Sequence, residues 1–466
     1  MAGNVSGRCG EHAVVIGGSI AGLLAARVLS DGFAKVTVLD RDGFSGRDVP
    51  RKGVPQGHHT HGLLAKGREI LEEFFPGFTD GLVKDGAVLC DAQNDCVWYN
   101  DGLRMRPAPS DLQALAVGRP MLENRLRVRV AALPNVEIRA RHEVTGLLLG
   151  ARGVGGVRVV PVGGGAEAEI EADLVVNASG RGNRGAVWLR ELGYEPPAEE
   201  RVDSGLVYVT REFRGHPGDA EVTAILCAHS TASPLGGFAI RAEGDRWLIT
   251  VLGMGADIPS TDPAEFTGFA ARLPVPEIHR LASRLEPLGP PRLMRIPTSV
   301  RRRYERMRAF PDGYAVIGDA LCQFNPSYGQ GMTIAACEAV ALRDALRGGT
   351  AGLARRFFPA AAKVIDVPWD MAVGADLRFP HIEGARTPKV KLLNAYVARI
   401  HVAAQVDPVV GNAFLQVSNL VKPPQSLFAP RILARVLRRR PGRTTPPVLP
   451  DAVPAEALLA HTAEAG

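Results

Sequence analysis

An α/β fold is what this sequence predicts, with a parallel βαβ unit at its start, an antiparallel sheet in its middle and helices at its end. Three observations carry that expectation. Residues 13–16 (AVVI) are an apolar run followed by the turn Gly17-Gly18-Ser19-Ile20-Ala21-Gly22 and the apolar stretch 23–29, the strand, turn and helix order that a dinucleotide fingerprint requires. Residues 206–254 read as strands without helical spacing between them. Beyond about residue 350 the apolar spacing is helical.

Taken in order, the first unit closes with a second strand, residues 35–39, ended by Asp40, 18 positions beyond Gly22 and close to where an acidic residue meets a nucleotide ribose. Residues 46–62 hold too many Gly, Pro and His residues for regular structure and predict a long loop beside the ligand. A helix is expected over about 66–75, ended by Pro76-Gly77, and another over 121–132 with Pro120 at its start. Short strands are expected over 136–138, 156–162 and 168–176, with glycine turns at 153–156 and 163–165. Strands over 206–213, 222–228, 237–241 and 246–252 predict an antiparallel sheet stacked on the nucleotide domain. Residues 314–317 (YAVI) form a last buried strand that returns the chain to the first domain, and helices are expected over 333–346, 390–402 and 412–421. The Pro- and Ala-rich residues 441–466 predict a disordered tail.

The whole chain sets bounds on function. At 466 residues, two to three domains of about 150 residues are expected. Hydrophobic residues at 46 % and a mean hydropathy of +0.01 fit a folded soluble protein with core enough to surround a large ligand. The net charge of +6 is modest, and the arginines at 435, 438, 439, 440 and 443 read as a solvated helix end; no aromatic residues interleave them, so nucleic acid is not expected. Six scattered cysteines without a Cys-x-x-Cys indicate neither a zinc site nor a disulfide framework, and a cytoplasmic location is expected. The uncharged stretch 13–26 carries glycines at turn spacing rather than a signal-peptide pattern, and no membrane span is expected. His58, His59 and His61 lack a carboxylate or cysteine at ligand spacing, so no metal site is expected; loop packing or a flavin-side contact is the reading for them. No Gly-x-Ser-x-Gly elbow supports a hydrolase.

Two segments far apart in the chain read as the two ends of one FAD site. In the first, Gly17 permits the bend, Ser19 is small enough for backbone amides to approach a pyrophosphate, Gly22 allows close packing of helix on sheet, and Ile20 and Ala21 open a helix whose N-terminus favours the diphosphate. Asp40, with Arg41 beside it, stands at the ribose position. In the second, Gly318-Asp319 ends a strand, Pro326 and Gly329 shape a turn, and Gln330-Gly331-Met332 opens a helix whose dipole would stabilise negative charge on a reduced flavin. Asp319 would accept hydrogen bonds from ribityl hydroxyls. The fold expected is thus a Rossmann-like FAD-binding domain of the glutathione-reductase type, discontinuous over 1–200 and 291–350, around an antiparallel-sheet substrate domain over 201–290, with a helical C-terminal region over 351–440.

With these segments, Arg51-Lys52-Gly53-Val54-Pro55-Gln56 with His59 and His61, Arg119 with Leu122-Glu123, residues 173–184 (DLVVNASGRGNR) and Asp203-Ser204-Gly205 complete a pattern. The chain resembles the single-component flavoprotein monooxygenases of the para-hydroxybenzoate hydroxylase class, most of all the bacterial branch of polyether-type and squalene-epoxidase-like enzymes, over about residues 12–350. The resemblance implies that Arg51, with Lys52 beside it, and Arg119 reach the FAD phosphates or ribityl chain, and that Ser179-Gly180-Arg181 takes the place of the family's Asp-Gly fingerprint, with Gly180 kept and the aspartate replaced. It implies FAD, NADPH or NADH (or a reductase partner) as electron donor, molecular oxygen and a lipophilic substrate. Hydroxylation or epoxidation through a flavin C4a-hydroperoxide is the expected reaction, and no protein acid or base is assigned to it. Apolar residues of the middle sheet, Val207, Val209, Phe238, Ile240 and Ile249, are candidates for the substrate wall. Two other outcomes stay open: a spirotetronate-type cyclase that keeps FAD without redox chemistry, and a flavin reductase of the geranylgeranyl-reductase type. The isolated tryptophans at 98, 188, 247 and 369 lack the Trp-x-Trp-x-Ile-Pro signature of flavin halogenases, and the C-terminal helices suit a pocket cap or a homodimer contact.

Overall fold

In the computed structural model, which describes residues 9–438 except 152, 217 and 256, the strand Gly10–Ile16 is the centre of a five-stranded sheet. Phe33–Asp40 and then Val136–Ala140 lie to one side of it, Leu174–Asn177 and then Tyr314–Val316 to the other, all parallel. Residues 36–40 and 174–177 of its two neighbours are all buried, as expected of a parallel sheet covered on both faces. Helix Ile20–Ser30 follows the first strand and packs against helix Gly331–Leu346 from the far end of the chain. A side chain at Gly22 is excluded: its Cβ would lie 1.8 Å from the Gly17 carbonyl oxygen, which is how closely the helix sits on the turn that starts it.

The run expected as one strand over 168–176 is two. Ala168–Glu171 joins an antiparallel three-stranded sheet with Gly153–Pro161 and His142–Gly150, whereas Leu174–Asn177 enters the parallel sheet. Asp173 makes the switch, since its carboxylate accepts the N–H groups of Glu11 (2.7 Å) and His12 (3.0 Å) at the start of the central strand. Gly153–Gly156 is likewise strand and not turn. Its first residue bridges to Asp312, and the Val154 N–H donates to the Asp312 carbonyl, giving that backbone a partner the local sequence does not reveal.

The middle of the chain forms an eight-stranded sheet in the order Cys322–Gln323, Arg292–Arg302, Glu199–Arg214, Arg246–Gly253, Gly236–Ala242, Ala224–Cys227, Cys96–Asn100, Leu103–Arg104. It draws strands from both sides of residues 201–290, and all its pairs are antiparallel except that between Ala224–Cys227 and Cys96–Asn100. Side chains alternate between its faces with period two. Val209, Ile225, Trp247, Ile249 and Val251 pack under helices Pro263–Ala271 and Pro276–Arg284, which the sequence had not signalled. Tyr208, Leu226, Phe238, Ile240 and Leu252 face the opposite way, toward a large cavity.

The last described segment is helical: Leu353–Asp376, Pro388–Ala404, Pro408–Ser418 and Pro430–Arg438. The last three start on a proline, tolerated in a first turn whose N–H has no helical partner. Thr387 and Asp407 cap two of them by accepting the N–H of Val390 and of Val409. The tail expected over 441–466 lies outside the described residues.

Because the Gly22 site has no room for one carbon, Gly22→Ala is expected to destabilise the protein by about 1–3 kcal/mol or more. A lowered urea unfolding midpoint with an unchanged slope checks this.

Candidate functional site

The first glycine turn is held from inside the protein. The Gly17 N–H donates to the Leu39 carbonyl (2.7 Å), and the Gly18 N–H donates to Asp40 Oδ2 (2.7 Å), so the acid at the end of the second strand fixes the turn as well as facing the cavity. Ser19, the N-cap of helix Ile20–Ser30, makes no capping bond to it, and the first-turn amides of Ile20 and Ala21 remain directed at open space along the cavity wall.

Beside this turn lies a buried ionic cluster. Arg51 donates through Nε to Glu123 Oε1 (2.6 Å) and through Nη1 to Asp42 (3.0 Å) and Asp40 (3.3 Å). Arg127 also donates to Glu123 Oε1 (2.6 Å), Arg119 donates to Ser19 Oγ (2.9 Å), and Ser19 Oγ donates to Glu123 Oε2 (2.6 Å). Burial would raise the Glu123 carboxyl, but the guanidinium groups around it prevail and hold it below the usual range. Two nitrogens of the cluster, Arg51 Nη2 and Arg127 Nε, are buried with no hydrogen-bond partner among the described residues. Glu123 and Asp42 were not among the expected site residues; the i, i+4 spacing of Arg119 and Glu123 on one helix is the signal for the former.

The second turn repeats the arrangement. Gly318 adopts φ +70°, which glycine favours, and its N–H donates to Glu338 Oε2 (2.6 Å). A Cβ at Gly318 would lie 2.7 Å from the Ala21 side chain, so the two turns touch across the fold. Glu338 is fully buried. Burial pushes its carboxyl up to about 8, and Asp319 adds to the shift while the Gly318 N–H opposes it. Among the described residues the Asp319 carboxylate accepts no hydrogen bond, and it lines the cavity near Arg181, Arg119 and Arg302. Asn325 caps the short helix Pro326–Tyr328, Gly329 takes φ +67°, and Gln330 starts helix Gly331–Leu346 without capping it, which leaves the Gly331 and Met332 end of that helix open to the cavity.

All the expected site residues line a single connected cavity of about 1860 Å³ except Gly22, which packs beneath the turn. That set is Gly17, Ser19, Ile20, Ala21, Asp40, Arg41, Arg51, Lys52, Arg119, Gly180, Gly318, Asp319, Pro326, Gly329, Gln330, Gly331 and Met332. Of the expected wall residues, Phe238 and Ile240 line it; Val209 and Ile249 fall on the helix-covered face of the sheet and Val207 does not reach the cavity, as strand alternation dictates. His59 is buried against Tyr208, with Nδ1 2.8 Å from Thr210 Oγ1. Burial lowers it to about 3 and His61 to about 4, so both are neutral at pH 7. No cluster of His, Cys, Asp or Glu among the described residues suits a metal.

Away from the glycine turns, carboxylates at Asp101 and Asp376 each gather polar partners at the cavity wall. Asp101 sits in the two-residue hairpin turn Asp101-Gly102, φ +52° and +74°, the type I′ geometry that Asp-Gly favours. It receives Arg378 at 2.7 Å and lies 2.8 Å from His401 Nδ1; burial would raise its carboxyl, but these partners hold it at about 2. Tyr328 donates its hydroxyl to Asp376 (2.8 Å), and burial raises that carboxyl to about 6 despite this bond and that from Asn325.

A protein-family model described as an FAD binding domain matches residues 11–356. The chain belongs to that family. It is similar to a curated relative, Protein Rv3254 of Mycobacterium tuberculosis, with 34 % identity over 439 residues that cover 88 % of this chain and 90 % of the relative. It is 29 % identical over 174 residues to kynurenine 3-monooxygenase of Salinispora arenicola, 36 % of either chain. In fold, this FAD-binding protein is similar to a flavoprotein/dehydrogenase from Cytophaga hutchinsonii (TM-score 0.66, 17 % identity, 92 % of this chain and 99 % of that one). It is similar also to PqsL, a probable FAD-dependent monooxygenase from Pseudomonas aeruginosa (0.58, 19 %, 79 % and 97 %), and to the Diels-Alderase PyrE3 of pyrroindomycin biosynthesis (0.60, 18 %, 89 % and 81 %).

The donor set suits FAD. Two open helix N-termini and the unpartnered Arg51 nitrogen match phosphate and flavin-edge charge, and the free Asp319 carboxylate matches sugar hydroxyls. Asp319→Ala is therefore expected to weaken FAD binding roughly ten- to hundred-fold, the worth of a hydrogen bond to a charged acceptor, in a flavin-fluorescence titration of apoprotein. For Glu338 the folded pKa of about 8 exceeds the usual carboxyl value, so its stabilising protonation is complete at acid pH and lost as pH rises toward 8. Glu338→Gln keeps an acceptor for Gly318 without that loss, and thermal melts should show its Tm gaining on the wild type between pH 5 and pH 8.

Proposed function

We propose that the protein is an FAD-dependent monooxygenase, of the squalene-epoxidase-like branch, that hydroxylates or epoxidises a lipophilic small molecule of polyketide or terpenoid type. The observation that carries this reading is the single cavity with two chemistries. One end is built of glycine turns, helix N-termini and Arg51; the rest is walled by Leu226, Phe238, Ile240, Met294 and Trp369. At about 1860 Å³ it exceeds the several hundred to about 1,000 Å³ of an ordinary ligand site, so a dinucleotide and a second apolar ligand fit together.

FAD, when bound, supplies the activation of molecular oxygen and its transfer to carbon. The chain's own residues do the rest. Ser19, Ile20, Ala21, Arg51 and Arg119 would hold the diphosphate end and Asp319 the sugar chain, and the Gly331–Leu346 helix start would offer its partial positive charge to the flavin. The apolar wall orients the substrate and keeps water from the reacting atoms. Reducing equivalents come from NADPH or NADH docking on the FAD domain, or from a reductase partner, since the sequence carries no second strand–turn–helix fingerprint. The kynurenine 3-monooxygenase relative supports the oxygenase assignment.

A second reading, FAD retained as a structural element of a cyclase, is favoured by Ser179. Its hydroxyl donates to Asn177 Oδ1 (2.7 Å) where the family's aspartate would stand, and the Diels-Alderase PyrE3 shares the fold. Mixing the yellow protein anaerobically with NADPH, and in parallel with a flavin reductase, separates the two. The oxygenase is expected to bleach and, on admission of oxygen, to reoxidise through a transient absorbance unlike that of oxidised flavin. A flavin that neither donor reduces overturns the oxygenase and supports the cyclase.

A further inference from the structure

We infer that the outer face of the C-terminal helices is a docking surface for an anionic phospholipid bilayer, placed so that the cavity opens against the lipid. This goes beyond the monooxygenase reading and rests on it only in giving the bilayer a role as the source of an apolar substrate.

Charge is the first observation. Residues 385–438 carry eight Lys and Arg residues and one acid, Asp407, whereas the whole chain is only +6. Asp407 is buried and already paired with Arg435 (2.8 Å). On helix Pro388–Ala404 the exposed residues include Lys391, Leu392, Ala395 and Arg399, spaced to share one face; on helix Pro430–Arg438, which packs beside it, they are Arg431, Ala434, Leu437 and Arg438. The second helix buries Ile432 and Val436 on its other side, where the core beneath includes Met105, Leu112 and Ile400. Basic and apolar side chains thus alternate over one outward face that presents no carboxylate. Long basic side chains with interleaved leucines are the pattern of a helix lying in a headgroup layer, where the apolar residues insert and the cations meet phosphate.

The second observation is the position of the cavity mouth. Leu393 and Phe428 are at once exposed, 36 % and 45 %, and part of the cavity lining, so the cavity reaches the surface between them; Lys389 stands at the same rim. Phe428 stacks on Tyr396 (4.7 Å between centroids), one turn along the helix from Leu392 and Leu393, which joins the apolar patch to the mouth. Leu392, 72 % exposed, is the most exposed of the large apolar side chains described. Exposed acids also line the cavity, among them Asp366, Asp370 and Glu383; Asp366 is paired with Arg301 (2.6 Å) and Asp370 faces Lys389. Nucleic acid would be met by basic residues alone and would gain nothing from Leu392, Leu393 and Leu437; a bilayer uses both.

Sedimentation of the full FAD-loaded protein with vesicles tests this. Binding is expected to phosphatidylglycerol mixed with phosphatidylcholine and not to phosphatidylcholine alone. Each basic residue removed should weaken it about five-fold, so Lys391→Ala/Arg399→Ala/Arg431→Ala should lose roughly a hundred-fold while retaining its flavin. Leu392→Ser should weaken binding also at high salt, where the ionic contribution is screened. Binding to anionic vesicles no tighter than to neutral ones, binding unmoved by the triple substitution, or equal retention by a single-stranded oligonucleotide overturns the assignment. The readout needs no turnover, so a protein whose flavin is never reduced would still pass or fail here on its own.

Discussion

Two buried acids hold the site together from below. Asp40 accepts the N–H of Gly18 and Glu338 accepts that of Gly318, one acid for each glycine turn. Each takes a backbone donor that would otherwise compete for direction, and each leaves the following amides, at two helix starts, pointed at the cavity. The turns are close enough for Gly318 to meet Ala21, so a shift in either would move the other.

That pairing depends on the parallel sheet. Gly10–Ile16 and Tyr314–Val316 flank Leu174–Asn177, and the segments that follow all three strands emerge on the same edge, where a doubly wound sheet presents its ligand crevice. Asn177 continues the network, donating to Tyr314 Oη (2.8 Å) and to Asn183 (2.9 Å), and Ser179 hangs from its side-chain oxygen. Ser179 places a neutral hydroxyl at this edge.

The eight-stranded sheet divides labour by parity. Even positions such as Tyr208, Leu226 and Ile240 wall the cavity and odd positions such as Val209, Trp247 and Ile249 build the separate core under two helices. The C-terminal helices then close the side that neither sheet covers, bringing His401 and Arg378 to Asp101 and Asp376 to Tyr328. The buried arginine cluster around Glu123 is the counterpart at the other end, and its three guanidinium groups, Arg51, Arg119 and Arg127, are balanced by Glu123, Asp40 and Asp42, so the cofactor end offers donors to an anion without being strongly cationic.

By itself the sequence determined the βαβ unit, the two glycine turns, the middle strands and the FAD site that these imply, because each is a local pattern: apolar period, glycine at a bend, a small residue where backbone must approach. The split of residues 168–176 at Asp173, the strand at Gly153–Gly156 and the helices at 263–284 were not legible, since their partners, the N–H groups of Glu11 and His12, the Asp312 backbone and the apolar face of the distant sheet, lie elsewhere in the chain. Nor was the sheet's parity, which register decides and which turned Val209 and Ile249 away from the cavity. Only the tertiary structure could bring Arg51, Arg119 and Arg127 onto Glu123, raise Glu338 by burying it, and set Asp101 against His401. Those effects come from desolvation and close charges, which depend on what packs around a side chain and not on its neighbours in sequence.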